Sequence, residues 1–214
     1  MKIIAVGAHL DDIEISCGGL LADAVMAGHV VKMIVMSQSE YAHYDGRVWR
    51  TREQALEEGI EAARLLGVED LEVLEFPTKD VPYDSSSVEA LDSRITPFNP
   101  DVISTHWVYD THQAHRNTAL ATISAARHFN NILMYEPMWP SGRSYQGFRG
   151  QCYYGVSEEG VKRKAAALMA HKSQYEKYGK MWLDAVTARG IYRGYEIGIA
   201  YAECFEVVRW QMKL

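Results

Sequence analysis

The chain has 214 residues, a formal net charge of −6 and a hydrophobic fraction of 48%, values typical of one domain with a sizeable core, so we expect a single domain over residues 1–214. The acidic charge, with Lys and Arg dispersed along the sequence, argues against the basic stripe that binds nucleic acid. No apolar run approaches the roughly 20 residues that cross a bilayer, and the first residues do not resemble a signal peptide. We therefore expect a soluble, cytoplasmic protein without membrane insertion.

Strand-type and helix-type patterns alternate along the chain. In chain order we predict a strand at 3–7, a helix at 20–26, strand 30–36, helix 51–66, strand 71–76, helix 85–95, strand 101–105, helix 115–129, strand 132–135, helix 158–186 interrupted near Gly179, and strand 203–210. Thr51 is the expected N-cap and Gly67 the stop signal of the second helix. The alternation predicts a three-layer α/β/α sandwich on a mainly parallel, Rossmann-like sheet.

The alternation breaks down over residues 137–155. This stretch is rich in Pro, Gly, Ser, Arg and aromatic residues, a composition typical of a long loop that lines or covers a polar cavity. We interpret it as a segment that recognises the substrate. Together with residues 38–50, it is expected to determine specificity.

Two clusters of metal-binding residue types follow predicted strands. Ala-His-Leu-Asp-Asp occupies residues 8–12, and Asp-Thr-His-Gln-Ala-His occupies residues 110–115. The ligands of a catalytic metal converge from different segments and leave one position open for water. Because parallel strands end at the same edge of a sheet, the two clusters are expected to meet there. The turn in the first cluster lets His9 and Asp12 point to one centre while Asp11 stays free.

Each cluster alone is weak evidence for a metal site. A loop histidine is more often a hydrogen-bonded structural residue, and Asp12 could simply cap the following helix. Their joint occurrence at two strand ends is much stronger evidence. A nucleotide-binding or other non-hydrolytic α/β protein is the main alternative. That fold would favour Gly-x-Gly-x-x-Gly where this chain has residues 7–12, whose carboxylates would repel a pyrophosphate.

The same residues resemble a known family. Residues 8–19, Ala-His-Leu-Asp-Asp-Ile-Glu-Ile-Ser-Cys-Gly-Gly, are similar to the signature of the LmbE-like family, whose members include N-acetylglucosaminyl-phosphatidylinositol de-N-acetylases. Residues 112–115 resemble the His-Pro-Asp-His motif of the family. Residues 50–53 resemble its Arg-x-x-Glu helix, and residues 171–174 its His-x-Ser-Gln segment. The four motifs occur in order, and the resemblance covers nearly the whole chain.

The resemblance implies a zinc-dependent hydrolase that removes the N-acetyl group from an N-acetylglucosamine-like amino sugar or its conjugate. It implies that His9, Asp12 and His115 bind the metal and that Asp11 is the general base toward metal-bound water. His112 would stabilise the tetrahedral oxyanion or act as an acid. A site of two histidines and one aspartate suits Fe²⁺ as well as Zn²⁺, so the metal stays open.

One position departs from the family pattern. Ala114 replaces the usual Asp of the second motif, which also leaves open a metal-binding protein without catalysis. We hypothesise that Asp110 supplies the missing carboxylate and orients the imidazole of His112. Arg50 matches the Arg of the family and is the predicted substrate-binding residue, although Arg52 is close enough in sequence to be confused with it.

Further residues have less specific signals. His171 either lies near the site or caps a helix. His106 is expected at the edge of the core, with a role in the site as the alternative. Amphipathic rings in the loops that are expected to border the carboxyl edge are suited to stacking on a sugar. Loop packing is the better explanation for any single ring, but as a set they favour a sugar-sized cavity: Tyr41, Tyr44, Trp49, Trp107, Tyr109, Trp139 and Tyr145. The expected partner is a small N-acyl amino sugar. Homo-oligomers are common among small α/β enzymes, but no surface stripe in the sequence indicates one.

Overall fold

Strands and helices alternate along residues 1–212, the part of the chain that the computed structural model describes. The strands are β1 (Lys2–Gly7), β2 (Val30–Ser37), β3 (Tyr41–Ala42), β4 (Val48–Arg50), β5 (Asp70–Phe76), β6 (Val102–Thr105), β7 (Ile132–Tyr135), β8 (Cys152–Gly155) and β9 (Ala202–Arg209). The helices are α1 (Asp12–Met26), α2 (Arg52–Leu66), α3 (Ser85–Phe98), α4 (Gln113–Ala125), α5 (Glu158–Ala170), α6 (Lys172–Tyr178) and α7 (Lys180–Glu196). The predicted α/β class is confirmed.

Seven strands form one sheet in the order β5-β2-β1-β6-β7-β9-β8. The first five of these strands run parallel to one another, whereas β9 and β8 are antiparallel additions at one edge. β1 lies between β2 and β6. The chain therefore continues from β1 to one side of the sheet, through β2 and β5, and later crosses to the other side, where β6 and β7 lie. A crevice opens at the carboxyl ends of strands where the order reverses in this way. The loops after β1 and β6, which carry the two predicted ligand clusters, therefore meet at this crevice.

Both faces of the sheet are covered, which makes the predicted three-layer sandwich. Along β1, Ile3 and Ala5 pack into the core under α1, α2 and α5. The alternate residues Ile4 and Val6 pack into a second core under α3 and α4. This burial on two sides explains why the central strands are continuous apolar runs in the sequence. Among the described residues, no helix has both the length and the apolar character to cross a membrane.

Helix α1 begins at Asp12, well before the predicted start at residue 20. Its backbone departs from helical geometry at Cys17, so the helix consists of two halves. The carboxylate of Glu203 on β9 accepts hydrogen bonds from the backbone N–H groups of Gly19 (2.8 Å) and Leu20 (2.7 Å), as an N-cap does. The predicted helix therefore corresponds to the second half of α1, and the prediction missed the first half.

The buried ion pair between Glu203 and Lys164 supports this kink. The Lys164 ammonium lies 2.6 Å from the Glu203 carboxylate, and both residues are buried. We expect Glu203→Ala to lower the free energy of unfolding by about 3–5 kcal/mol, because it leaves a buried ammonium unpaired. Urea unfolding measures this loss. Glu159→Ala, which breaks an exposed pair with Arg163, is the control and should cost under about 1 kcal/mol. Equal losses in both variants would contradict the interpretation.

Several predicted boundaries need correction, and two short pairings were missed. Thr51 and Gly67 cap α2 as predicted. The predicted helix at 158–186 is three helices, with breaks at His171 and Gly179 and a C-terminal extension to Glu196. The prediction of an unbroken loop at 137–155 is wrong at its end, because β8 pairs with β9 there. The missed strands β3, β4 and β8 have four residues or fewer, which is too short for a period to show.

Candidate active site

The carboxyl ends of the parallel strands open into a cavity of about 510 Å³. The loops after β1 and β6 form its polar part, and the segment after β7, together with α6 and α7, contributes much of its apolar lining. All seven residues predicted for the site line this cavity: His9, Asp11, Asp12, Arg50, Asp110, His112 and His115. The structure therefore brings the predicted site residues together.

The ligand atoms of the predicted metal site converge on one point. His9 Nδ1 lies 3.2 Å from His115 Nε2 and 3.3 Å from an Asp12 oxygen. His115 Nε2 lies 3.3 Å from the other Asp12 oxygen. Ligands placed 2.0–2.1 Å from a tetrahedral zinc ion are themselves about 3.3 Å apart. The spacing of these three side chains therefore fits a divalent cation of this size.

The protons of the two imidazoles support the same conclusion. His9 Nε2 lies 2.9 Å from the carbonyl oxygen of Thr78, which can only accept, so the proton belongs on Nε2. His115 Nδ1 lies 3.1 Å from Asp110 Oδ2, so its proton belongs on Nδ1. The free lone pairs of both rings then face each other and the carboxylate of Asp12. Such a group of converging acceptors is stabilised by a cation.

A proton competes with a metal for this site. Burial lowers the pKa of His9, but the hydrogen bond and the negative charge of Asp12 raise it further, so its pKa lies above the usual value. Burial raises the pKa of Asp12, but His115 and His106 outweigh that effect and hold it well below its usual range. Asp12 thus stays ionised, as a ligand must.

Asp110 contacts a different histidine from the one we expected. The hypothesis that it orients the imidazole of His112 is wrong, because its Oδ2 contacts His115 Nδ1 and its Oδ1 accepts the backbone N–H of His112 at 2.8 Å. The first turn of α4 brings the ring of His115 over the buried carboxylate of Asp110. Ala114 is fully buried in the apolar core under α3 and α4, so this position faces away from the cavity.

His112 lies against the predicted ligands. Its ring stacks on His115 with centroids 4.3 Å apart and meets His9 edge-on at 5.0 Å. One face stays open to the cavity, yet the protein packed around the ring desolvates it and, with the charge of His115, lowers its pKa to about 4. A neutral His112 is suited to donate a hydrogen bond to an oxyanion and is not an imidazolium acid at neutral pH. His9, His112 and His115 also form an alternative ligand trio by distance.

His106 lines the cavity, although the sequence favoured a place at the core edge over a role in the site. Its Nε2 lies 3.1 Å from the Asp12 carboxylate and accepts the backbone N–H of Ala8 at 3.0 Å. The ring stacks on His115 with a centroid distance of 4.0 Å, and burial lowers its pKa to about 4. With Asp12 and His115 it forms a second ligand trio by distance. The one available signal was its position just after a strand that ends at the same edge.

Asp11 has the properties of a general base that is not a ligand. Its backbone φ is +134°, an uncommon value outside glycine, and its side chain does not cap α1. Burial and the charge of Asp12 raise the pKa of Asp11 to about 6, although Arg50 and His171 oppose the increase. A carboxylate with a pKa near neutrality is matched to proton transfer at neutral pH.

Arg50 is buried and largely engaged by the protein. Its Nη1 donates to the carbonyl of Leu10 at 2.9 Å, and its Nη2 contacts His171 Nδ1 at 3.1 Å and Glu58 at 3.2 Å. His171 in turn lies 3.1 Å from Glu14. Of the three guanidinium nitrogens of Arg50, only Nε has no hydrogen-bond partner among the described residues. The network anchors the loop that carries Asp11, and the predicted contact of Arg50 with substrate stays a prediction.

We expect Arg50→Lys to lower kcat by about 10–100-fold, as loss of a group that supports reactive side chains does. An ammonium cannot donate to Leu10 and His171 in the same planar arrangement. Steady-state kinetics, with metal content and thermal unfolding measured in parallel, test this expectation. Arg52→Lys is the control, since Arg52 pairs with Glu75 at the surface. A wild-type kcat in Arg50→Lys would contradict the supporting role.

The aromatic lining differs from the prediction. Of the seven predicted rings, only Tyr41 and Trp139 line the cavity, so the prediction is wrong for the other five. Trp107, for example, is buried and donates its indole N–H to Glu206 at 3.1 Å. The missed aromatic rings are Tyr135, Tyr178 and Trp182. The latter two lie on α6 and α7, whose reorientation at the Gly179 break is not visible in the sequence.

This chain is similar in sequence to known proteins. The family model described as PIG-L, GlcNAc-PI de-N-acetylase, matches residues 4–126, which include both ligand clusters. An uncharacterized deacetylase, YaiS, of Escherichia coli (strain K12) is 33% identical over 177 residues, which cover 80% of this chain and 90% of YaiS. The diacetylchitobiose deacetylase of Thermococcus kodakarensis is 24% identical over 216 residues, covering 94% of this chain and 81% of the relative.

The fold is also shared with solved structures. The conserved protein TT1542 from Thermus thermophilus superposes with a TM-score of 0.83 at 22% sequence identity, over 99% of this chain and 96% of that one. At this identity the likeness concerns the fold alone. The family model matches more than half of the chain, and this match, together with the identity to YaiS, shows the family of the chain. This chain is a member of the PIG-L family of GlcNAc-PI de-N-acetylases.

Proposed function

We propose that this protein is a zinc-dependent hydrolase that removes the N-acetyl group from an N-acetylglucosamine-like amino sugar or its conjugate. The observation that carries the proposal is the convergence of the lone pairs of His9 and His115 with the Asp12 carboxylate, beside the free carboxylate of Asp11. Family membership supports deacetylation, since YaiS and the Thermococcus relative are both named deacetylases.

Each side chain of the site has a separate role in the proposed reaction. A divalent ion held by His9, Asp12 and His115 supplies Lewis acidity for the amide carbonyl and for the attacking water. Asp11 takes a proton from the water molecule while the water oxygen adds to the carbonyl carbon. Neutral His112 donates a hydrogen bond to the developing oxyanion. The C–N bond then breaks, Asp11 passes its proton to the departing nitrogen, and acetate and a free amine result.

The surrounding groups keep these side chains in place. Asp110 holds the Nδ1 proton of His115, which leaves Nε2 free as a ligand atom. His106, just after the end of β6, accepts the backbone N–H of Ala8 and so ties its ring to the loop that carries His9 and Asp12. Because the donor set contains two imidazoles and one carboxylate, Fe²⁺ is retained as an alternative metal.

The test is acetate release from N-acetylglucosamine and its glycosides by protein that has been stripped with a chelator and then reloaded with Zn²⁺ or Fe²⁺. We expect no release by the stripped protein and recovery after one equivalent of metal. A panel that includes a linear N-acetyl amine shows whether the sugar is needed. Metal-loaded protein that cleaves none of the compounds would contradict the proposed function and favour the non-hydrolytic alternative.

A further inference from the structure

The cavity lining has two chemically different parts. One part contains the ligand cluster together with Asp11, Ser39 and Thr78, all of which offer polar atoms. The other part, which we call the apolar wall, consists of Ile15, Met138, Trp139, Met181, Trp182 and Ala185. Its members come from α1, from the segment after β7 and from α7. Three distant segments thus contribute apolar side chains to one surface.

The apolar wall is continuous. Ile15 and Met138 pack against the cluster that contains Trp182. The ring of Tyr178 lies 6.3 Å from Trp139 and 6.4 Å from Trp182 and so connects the two indoles. Parts of the apolar wall remain uncovered, because Trp139 is 60% and Met181 72% exposed. Covering such large apolar side chains with a ligand is favourable, since it removes apolar area from water.

An acetylated sugar alone does not match this surface. Sugar hydroxyls need hydrogen-bond partners, and a hydroxyl buried against Ile, Met or Ala side chains has none, which costs free energy. An aromatic face can stack on a sugar, but the side chains of Ile15, Met138 and Met181 provide no such face. The acetyl methyl group is too small to cover six residues. A cavity of about 510 Å³ is in the range that holds larger ligands, roughly 300–1,000 Å³.

We propose that the substrate carries an extended apolar group beside its amino sugar and that the apolar wall binds this group. The inference rests on the proposed function, which supplies the amino sugar. The apolar group has two chemical sources: it is either an N-acyl chain longer than acetyl or a hydrocarbon or aryl aglycone. Both sources present the same chemistry to Trp139, Met181 and Trp182.

The experiment compares kcat/KM within two substrate pairs. The first pair is the methyl and hexyl β-glycosides of N-acetylglucosamine, and the second is N-acetyl- and N-hexanoyl-glucosamine. We expect the hexyl or hexanoyl member of one pair to exceed its short counterpart by about tenfold or more, since each buried methylene contributes to discrimination. The pair that shows the preference identifies the source of the apolar group.

Variants connect the preference to the apolar wall. Trp139→Ala and Met181→Gln should reduce the long-to-short ratio by at least about threefold, because each removes apolar contact area. The matched controls are Trp210→Ala and Met169→Gln, which change exposed residues outside the cavity and should leave the ratio unchanged. Ratios near one in both substrate pairs, or ratios that no variant of the apolar wall alters, would overturn the inference.

Failure of the inference and failure of the proposed function give different results. Acetate release without any preference for long chains leaves the proposed function intact and rejects the inference. If no compound is cleaved, the proposed function fails, and calorimetric binding of the members of both substrate pairs decides the inference. Tighter binding of the hexyl or hexanoyl member of one pair, lost in Trp139→Ala, supports the apolar wall as a binding surface, whereas equal affinities within both pairs reject it.

Discussion

Asp11→Asn is expected to lower kcat by about 10²–10⁴-fold, the contribution of a positioned general base. The amide has the same shape as the carboxylate but cannot take a proton from water. Asn also tolerates a positive φ, so the loop conformation at +134° should survive. The measurement is steady-state acetate release together with the metal content of the purified variant.

The control for this variant is Asp80→Asn. Asp80 is an exposed carboxylate that follows β5 at the same edge of the sheet but does not line the cavity. We expect wild-type turnover from Asp80→Asn and an unchanged metal content in both variants. An Asp11→Asn protein that retains full metal and wild-type kcat would show that another group accepts the proton.

His115→Ala is expected to weaken metal binding by more than about 100-fold and to abolish acetate release with it, since even residues outside the ligand set cost 10–100-fold. The substitution removes the ligand atom that lies 3.2 Å from His9 Nδ1. It also leaves the buried carboxylate of Asp110 without its histidine partner, so the protein should lose stability. Competition with a chromophoric chelator measures the affinity, and thermal unfolding checks that the variant is folded.

His112→Ala distinguishes the predicted ligand set from the trio that contains His112. If His9, Asp12 and His115 bind the metal, His112→Ala leaves the affinity of the protein for the metal unchanged. Its kcat falls by about 10²–10³-fold, the effect of removing an oxyanion donor. If the trio of His9, His112 and His115 binds the metal, His112→Ala and His115→Ala lose affinity to a similar extent. The second result would contradict the assignment of Asp12 as a ligand.

The main elements of the fold were predictable because their signals are local. The apolar run of β1 is buried on both faces of the sheet, so it reads as a strand without further information. Thr51 and Gly67 mark the ends of α2 through their own backbone and side-chain chemistry. By contrast, the first half of α1 has no side-chain cap, and the second half begins at a cap from Glu203, which is far away in the sequence. That contact exists only after β9 has joined the sheet.

In the candidate site, too, local sequence signals predict some features, whereas others depend on contacts that form only in the folded chain. His9 and Asp12 occur within one turn, and the strand ends bring His115 to them, so sequence patterns located this cluster. The partner of Asp110 could not be predicted, because the choice between His112 and His115 depends on how α4 begins. The contacts of Arg50 depend on how the junction of α5 and α6 packs against α2, and the apolar wall depends on how α7 packs against Ile15 of α1. No pattern within those helices encodes that packing.

The most direct test of the central claim is hydrolysis of an N-acetylglucosamine glycoside by zinc-restored protein in ¹⁸O-labelled water, followed by mass spectrometry of the acetate. We predict one ¹⁸O atom per acetate, an equal amount of free amine, and loss of both products in Asp11→Asn. Release of no acetate by protein that binds one equivalent of zinc, or acetate without the label, would contradict the proposed hydrolysis.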